Sequence, residues 1–300
     1  MDKRGLVPLR RAGSTGGIGL ITARELARVG AKVVLAVRAV SKGRTAADRI
    51  PGRTEVRELD VSDLASVRRF AAEWTGGIDV LINNAGVMDV PLTRTADGFE
   101  SQMATNYLGP FALTNLLLPH ITDRVVSVSS QLHRLGSPHL DDLGGQNRPY
   151  KAMDAYNDSK LNLVLFSTEL QRRLAASGSP VRSVIAHPGI ASTNLAGHSA
   201  AGKVTAALRF LFNDAEHGAL PSLFAATQDI PGNSYVGPSG FGSLKGHPRI
   251  RRPAAAGLDT TRRARAQSCG LPSGQAGSVV RRGFRRWRSG PRGRGCGGPW

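Results

Sequence analysis

Tyr156 and Lys160 stand four residues apart in Tyr156-Asn157-Asp158-Ser159-Lys160, a spacing that sets a phenol and an ammonium on one face of a helix. A free phenol holds its proton until about pH 10, so a tyrosine that exchanges protons near neutrality needs a cation beside it. Ser129 and Ser130 close a β-branched run and offer hydroxyls to a reacting oxygen. An acid/base and an aimed donor are what a reaction needs when hydride moves at carbon while the attached oxygen gains or loses a proton. Tyr150 is a competing phenol, but Asp154 four residues on is a carboxylate that would raise its pKa, which leaves Tyr156 as the acid. The bland reading of Ser129 and Ser130 is that they end a strand as turn formers.

A second set of residues suits a dinucleotide. Gly13, Gly17, Ile18 and Gly19 form a Gly-x-x-x-Gly-x-Gly entry into an apolar helix, where glycines let backbone N–H groups approach a pyrophosphate at the helix N-terminus. The run Lys32–Val37 follows and ends in Arg38. Val37 and Arg38 occupy the neighbourhood where a ribose-binding acid is usual. A guanidinium there pairs with a 2′-phosphate, so NADP is expected, with NAD as the alternative; the bland reading is a solvated arginine.

These residues need a scaffold, and the hydropathy pattern supplies one. Apolar runs at 32–37, 78–82, 124–129 and 181–186 read as strands covered on both faces. Helix patterns fall at 18–29, 63–75, 97–118, 156–176 and 216–226, with Ser62 and Asp63 as a capping signal and Gly30 and Gly178 as C-terminal caps. Repeated β-α-β units imply an α/β fold, a doubly wound parallel sheet of Rossmann type with helices on both faces, as one domain over 1–250. Residues 190–225 follow the sheet's C-terminal edge and are expected to form a mobile substrate-covering segment. Its Leu195, Val204, Leu208, Phe210, Leu211 and Phe212 point to an apolar substrate or to packing of the segment against the core.

Gly13-x-x-x-Gly17-x-Gly19, Asn83-Asn84-Ala85-Gly86, Asn106, Ser129-Ser130, Tyr156-x-x-x-Lys160 and Pro188-Gly189 together resemble the short-chain dehydrogenase/reductase family in order and approximate spacing. Thr105-Asn106-Tyr107-Leu108-Gly109, His187-Pro188-Gly189 and the long Ser130-to-Tyr156 interval are similar to its retinol-dehydrogenase-like and WW-domain-oxidoreductase-like branch. The resemblance implies an NAD(P)-dependent oxidoreductase that interconverts an alcohol and a carbonyl. It assigns Ser130, ahead of Ser129, to the substrate oxygen, Tyr156 to proton exchange, and Lys160 to lowering the phenol's pKa and holding the nicotinamide ribose. Asn106 would bind a water that links Lys160 to solvent. Asn83, Ala85 and Gly86 would pack beside the cofactor, Asp60 would meet its adenine end, and Pro188, Gly189, Ile190 and Thr193 would bracket the carboxamide. It also implies a homodimer through the helices at 97–118 and 156–176.

Composition narrows the rest. Of the formal charge of +18, residues 251–300 hold twelve arginines against Asp259, so the basic excess is mostly a property of that stretch. It reads as an Arg/Gly-rich tail, disordered or the product of an out-of-frame reading of GC-rich coding DNA, and nucleic acid is an unfavoured partner despite Arg285, Arg286 and Trp287. No apolar run reaches the roughly 18 residues of a membrane helix, so a cytoplasmic protein with no membrane partner is expected. Cys269 and Cys296 are the only cysteines and the seven histidines show no ligand spacing, which argues against a metal site. His133 and His187 read as loop or packing residues. Two prolines break the pattern: Pro8 in the first strand, where a central position should reject it, and Pro110, expected to bend or restart the helix after Asn106.

Overall fold

The computed structural model describes residues 17–189, 214–240 and 245–251, and the backbone of 4–9. Eight strands form one sheet in the order β3-β2-β1-β4-β5-β6-β7-β8. They are β1 (Arg4–Leu9), β2 (Lys32–Val37), β3 (Thr54–Glu58), β4 (Ile78–Asn83), β5 (Ile121–Val128), β6 (Arg182–Ala186), β7 (Tyr235–Pro238) and β8 (Pro248–Arg251). All neighbours run parallel except β8, which pairs antiparallel with β7 along the edge. The expected doubly wound sheet is therefore present, reversing direction of growth between β1 and β4. That switch point is where such sheets bind ligands beyond their C-terminal strand ends.

Pro8 does not keep β1 from the centre. β1 pairs with β2 from Arg4↔Lys32 to Leu9↔Val37, whereas its pairing with β4 covers Gly5↔Val80 and Leu6↔Leu81 and stops before the proline. A residue without N–H thus shortens one ladder rather than excluding the strand.

The strands bury both faces. Leu81 and Val125 pack under one layer with Val67, Leu113, Leu163 and Phe166, while Ile82 and Val126 pack under the other with Ala23, Leu26 and Ala225. Adjacent residues alternate between layers because a strand has a two-residue side-chain period. Helices α3 (Leu64–Ala72), α5 (Gly109–Leu117) and α6 (Ala152–Ala176) cover the first face, and α1 (Ile18–Arg28) and α7 (Ala215–Thr227) the second. Asp63 caps α3 by accepting from the Ala65 N–H at 2.8 Å, and Gly30 and Gly178 take positive φ after α1 and α6.

Several boundaries differ from the hydropathy reading. The helix expected from 97 begins at α4 (Ser101–Met103), because Gly98 turns the chain with φ 81 and Glu100 caps the Gln102 and Met103 N–H groups. It then passes through a π-helical turn, Ala104–Leu108, and restarts as α5 with Pro110 in its first turn, a position that tolerates a missing N–H. The helix expected from Tyr156 begins at Ala152, so Tyr156 sits a turn inside α6. Helix α2 (Val40–Ala47) and strands β3, β7 and β8 were absent from that reading. Of the expected covering segment only 214–225 is described. In that part Ala219 packs against Ile18 and Ile21 of α1, and Ser222 and Ala225 are buried. Leu195 to Phe212 and the tail from 252 lie outside the described residues.

Candidate active site

Strand β5 ends by delivering Ser129 and Ser130 beside α6. The two hydroxyls face different tasks. Ser129 is 2 % exposed and its Oγ donates to the Lys160 carbonyl at 3.1 Å, while its N–H continues the sheet to Ala186. Ser130 adopts extended backbone, caps the 3-10 turn Gln131–Leu135, and its hydroxyl is hydrogen-bonded to the Tyr156 phenol. The geometry therefore brings together Ser130 and Tyr156, with Ser129 spent on holding α6 against β5.

Lys160 lies on the same helical face as Tyr156, 4 % exposed, with Nζ donating to the Val128 carbonyl at 2.9 Å and lying 5.8 Å from the centre of the Tyr156 ring. Burial pushes the Lys160 amine down to about 8. Burial also pushes the Tyr156 phenol up, and the Ser130 hydrogen bond is what offsets it. Desolvation dominates for both groups, and Ser130 opposes it for the phenol.

Asn106 sits in the π-helical turn, fully buried. Its Nδ2 donates to the Val87 carbonyl at 2.8 Å and to Ser159 Oγ at 2.9 Å, and its Oδ1 accepts the Val87 N–H at 2.8 Å. The side chain is consequently occupied by the loop after β4. Gly86 comes from the same loop. A Cβ there would lie 3.3 Å from Lys160 Nζ and 3.4 Å from Asn106 Oδ1, so glycine keeps this side of the site bare. Asn83 donates from the end of β4 to Thr114 Oγ1 at 2.9 Å, and Ala85 is buried.

The dinucleotide end is partly described. Gly17 leads into α1 with no side-chain cap, and a Cβ on it would meet nothing within 4 Å among the described residues. Ile18 and Gly19 therefore present first-turn N–H groups at an open helix end, the electrostatic cradle of a phosphate; Gly13 lies outside the described residues. The Leu59 N–H donates to the Val37 carbonyl at 2.9 Å, tying the ends of β2 and β3 together. That brings Arg38 and Asp60 to 3.6 Å, with Asp60 also accepting from the Ser62 N–H and hydroxyl. Pro188 and Gly189 follow β6, Gly189 with φ 77, while Ile190 and Thr193 lie outside the described residues. A bare glycine wall beside Lys160, an uncapped helix start and a cation-carboxylate pair at the strand ends fit a nicotinamide dinucleotide.

Tyr150 is indeed a poor acid, for a different reason than Asp154. Its hydroxyl donates to the Val90 carbonyl at 2.6 Å, and burial together with Glu100 pushes it up to about 12. Conversely, His133, read as loop or packing, proves to be buried with its ring on the Ser130 carbonyl. A histidine three residues beyond a strand-ending serine is a usable signal, since one 3-10 turn returns it to that serine.

The sequence profile described as short chain dehydrogenase matches residues 12–203. Human retinol dehydrogenase 13 is 45 % identical over 199 residues, covering 62 % of this chain and 60 % of its own length. Mouse polyprenol dehydrogenase is 41 % identical over 234 residues, covering 71 % of this chain and 69 % of its own. The chain thus spans about three fifths of the length of the retinol dehydrogenases it matches. The crystal structure of an uncharacterized protein from Mycobacterium paratuberculosis is similar with TM-score 0.74 and 48 % identity, over 87 % of this chain and 89 % of that one. A dehydrogenase/reductase from Sinorhizobium meliloti is similar with TM-score 0.59 and 25 % identity, over 77 % and 91 %. With its motifs, sheet order and converging serine, tyrosine and lysine, this chain belongs to the short-chain dehydrogenase/reductase family.

Proposed function

We propose that the protein interconverts an apolar alcohol and its carbonyl compound using NADP. The observation that carries this reading is the Ser130 hydroxyl hydrogen-bonded to the Tyr156 phenol at the switch-point end of the sheet. When bound, the nicotinamide supplies or accepts the hydride. Ser130 holds the substrate oxygen, and Tyr156 gives its proton to that oxygen in reduction and takes it back in oxidation. Lys160 and the bare Gly86 edge orient the cofactor's ribose, and the uncapped start of α1 takes its phosphates. Arg38 at the end of β2 supports NADP over NAD, as a guanidinium pairs with a 2′-phosphate.

Retinol and polyprenol, the alcohols in the relatives' names, are long apolar primary alcohols, and that class is the substrate proposed here. Pairing with a second copy through α5 and α6, and a cytoplasmic location, belong to the same proposal.

The test is a titration of the full chain with NADPH and NADH by nicotinamide fluorescence, followed by turnover of retinaldehyde with the tighter cofactor. Tighter NADPH binding with reduction of retinaldehyde is the expected result. Cofactor binding without turnover of any aldehyde in a broad panel would point to a binding scaffold, and binding of neither cofactor would overturn the reading.

A further inference from the structure

His133 is 1 % exposed and lies in the 3-10 turn directly after Ser130. Its N–H, at 3.1 Å, and its ring Nδ1, at 2.6 Å, both fall on the Ser130 carbonyl oxygen. A carbonyl can only accept, so Nδ1 carries the proton and Nε2 is the bare nitrogen. Nε2 has no partner among the described residues. Burial pushes the imidazole's pKa down; the Ser130 carbonyl opposes this and Arg134 adds to it. The ring is therefore neutral.

The imidazole is wedged from behind. Tyr235 of β7 lies 5.5 Å away, centre to centre, and His187 at the end of β6 lies 6.2 Å beyond Tyr235. Gly237 gives His187 its room, since a Cβ there would lie 3.2 Å from His187 Cδ2. Tyr235 itself is buried with Val164 of α6 and Ile185 of β6. Among the described residues, the titratable and charged groups around His133 are thus Arg134 on its own turn, Tyr235 and His187 on the strands behind, and Tyr156 from α6, whose charge acts on Tyr235.

Ser130 opens the 3-10 turn that carries His133. Its hydroxyl accepts from the Leu132 N–H at a long 3.3 Å, and the turn it caps is five residues long. The carbonyl and the hydroxyl belong to one residue, so holding the carbonyl helps to fix the backbone from which the hydroxyl projects. We propose that His133 is a positioning residue: its neutral, Nδ1-protonated ring, backed by Tyr235, clamps the Ser130 carbonyl and so aims the Ser130 hydroxyl at the Tyr156 phenol. The proposal rests on the roles given above to Ser130 and Tyr156.

The test uses the full chain loaded with NADPH and two variants, His133→Leu, which removes the donor, and His133→Asn, whose amide nitrogen can reach the Nδ1 position. With retinaldehyde, His133→Leu should lower kcat about 10–100-fold, the scale of a small misplacement at a reacting centre, with the NADPH dissociation constant within about two-fold. His133→Asn should recover most of the loss. Equal losses in both variants, or none in either, would overturn the proposal. Two NMR readings decide it independently of turnover. Ring-labelled histidine should show His133 as the neutral Nδ1–H tautomer at neutral pH, and the Ser130 carbonyl carbon shift should move in His133→Leu but stay near the parent value in His133→Asn. An Nε2–H tautomer, an imidazolium at neutral pH or an unmoved Ser130 shift in His133→Leu would overturn it. Absence of retinaldehyde turnover by the unaltered enzyme would count against the functional reading alone.

Discussion

Asn106 and Val87 exchange a pair of hydrogen bonds, side-chain amide to backbone peptide, each 2.8 Å long. The pair locks the loop after β4, which carries Gly86, onto the π-helical turn, and the third bond of Asn106 reaches Ser159 of α6. Three separate stretches of chain therefore meet on one buried amide.

Asn106→Leu should be costly on that account. It removes three bonds and leaves the Val87 peptide and the Ser159 hydroxyl short of partners, about 2–4 kcal/mol of stability by the cost of orphaned buried groups. Urea unfolding measures it. Asn106→Asp keeps the acceptor for the Val87 N–H and should fall between. Loss of less than about 1 kcal/mol in the leucine variant would show that the loop is held by something else.

The pH dependence should follow Tyr156. Reduction needs the protonated phenol, so its rate holds at low pH and falls as pH rises through the phenol's pKa; oxidation needs the phenolate and shows the opposite limb. Burial has already raised that pKa, and Ser130 is the group that lowers it. Ser130→Ala should therefore move both limbs of kcat/KM to higher pH while reducing turnover. A limb that stays in place, or moves to lower pH, would separate Ser130 from the phenol.

The legibility of this molecule in its sequence was uneven for physical reasons. Runs such as Lys32–Val37 announce themselves because central parallel strands are apolar on both faces. Thr54–Glu58 does not: its five residues are half-buried or exposed and alternate charge with β-branched side chains near the edge of the sheet. The Tyr156–Lys160 pair was visible from its spacing together with the motifs that precede it. Its electrostatics was not, because burial is a tertiary quantity, and burial is the main cause of the shift of both groups. The partners of Asn106 were hidden likewise: the resemblance marked the residue, and only the fold reveals that its amide bonds Val87 and Ser159.

Lys160 should destabilise the native state near neutrality. Its amine falls from 10.5 to about 8 through burial, a difference of about 3 kcal/mol against the charged form. Between about pH 8 and about pH 10.5 the unfolded chain binds the proton that the native state has released, so native stability rises with pH there. Lys160→Met removes the penalty but takes a donor from the Val128 carbonyl, which returns about 1–2 kcal/mol. The variant should be inactive yet more stable than the parent by about 1–2 kcal/mol at pH 7, with the advantage gone by about pH 10. Urea unfolding at the two pH values checks it, and a variant less stable at pH 7 would mean that the amine is well solvated.

Arg38→Ala should separate cofactor preference from stability. The Arg38–Asp60 pair is 3.6 Å apart with side chains 39 % and 24 % exposed, the kind of surface pair worth well under about 1 kcal/mol. Thermal unfolding should barely change. NADPH affinity should fall about tenfold or more, as a charge-assisted contact to the 2′-phosphate is lost, with NADH affinity little altered. Equal losses for the two cofactors would remove Arg38 as the basis of the preference.

Gly109→Ala gives the sharpest test of the packing that carries the site. On an open helix the change would be favourable by nearly 1 kcal/mol, since alanine is the better helix former. At the head of α5 the added Cβ would overlap the Val61 carbonyl oxygen and lie 3.1 Å from the Ala104 carbonyl oxygen. Both are backbone atoms, so relief requires α5 to move away from the loop after β3 rather than a side chain to turn. Overpacking of this kind costs about 1–3 kcal/mol, occasionally more, and should exceed the helix-propensity gain. Because Val61 follows Asp60 and the π-helical turn carries Asn106, the displacement should also weaken NADPH binding, read by nicotinamide fluorescence beside urea unfolding. A variant as stable as the parent and with unchanged cofactor affinity would mean that α5 does not rest against Val61 in solution.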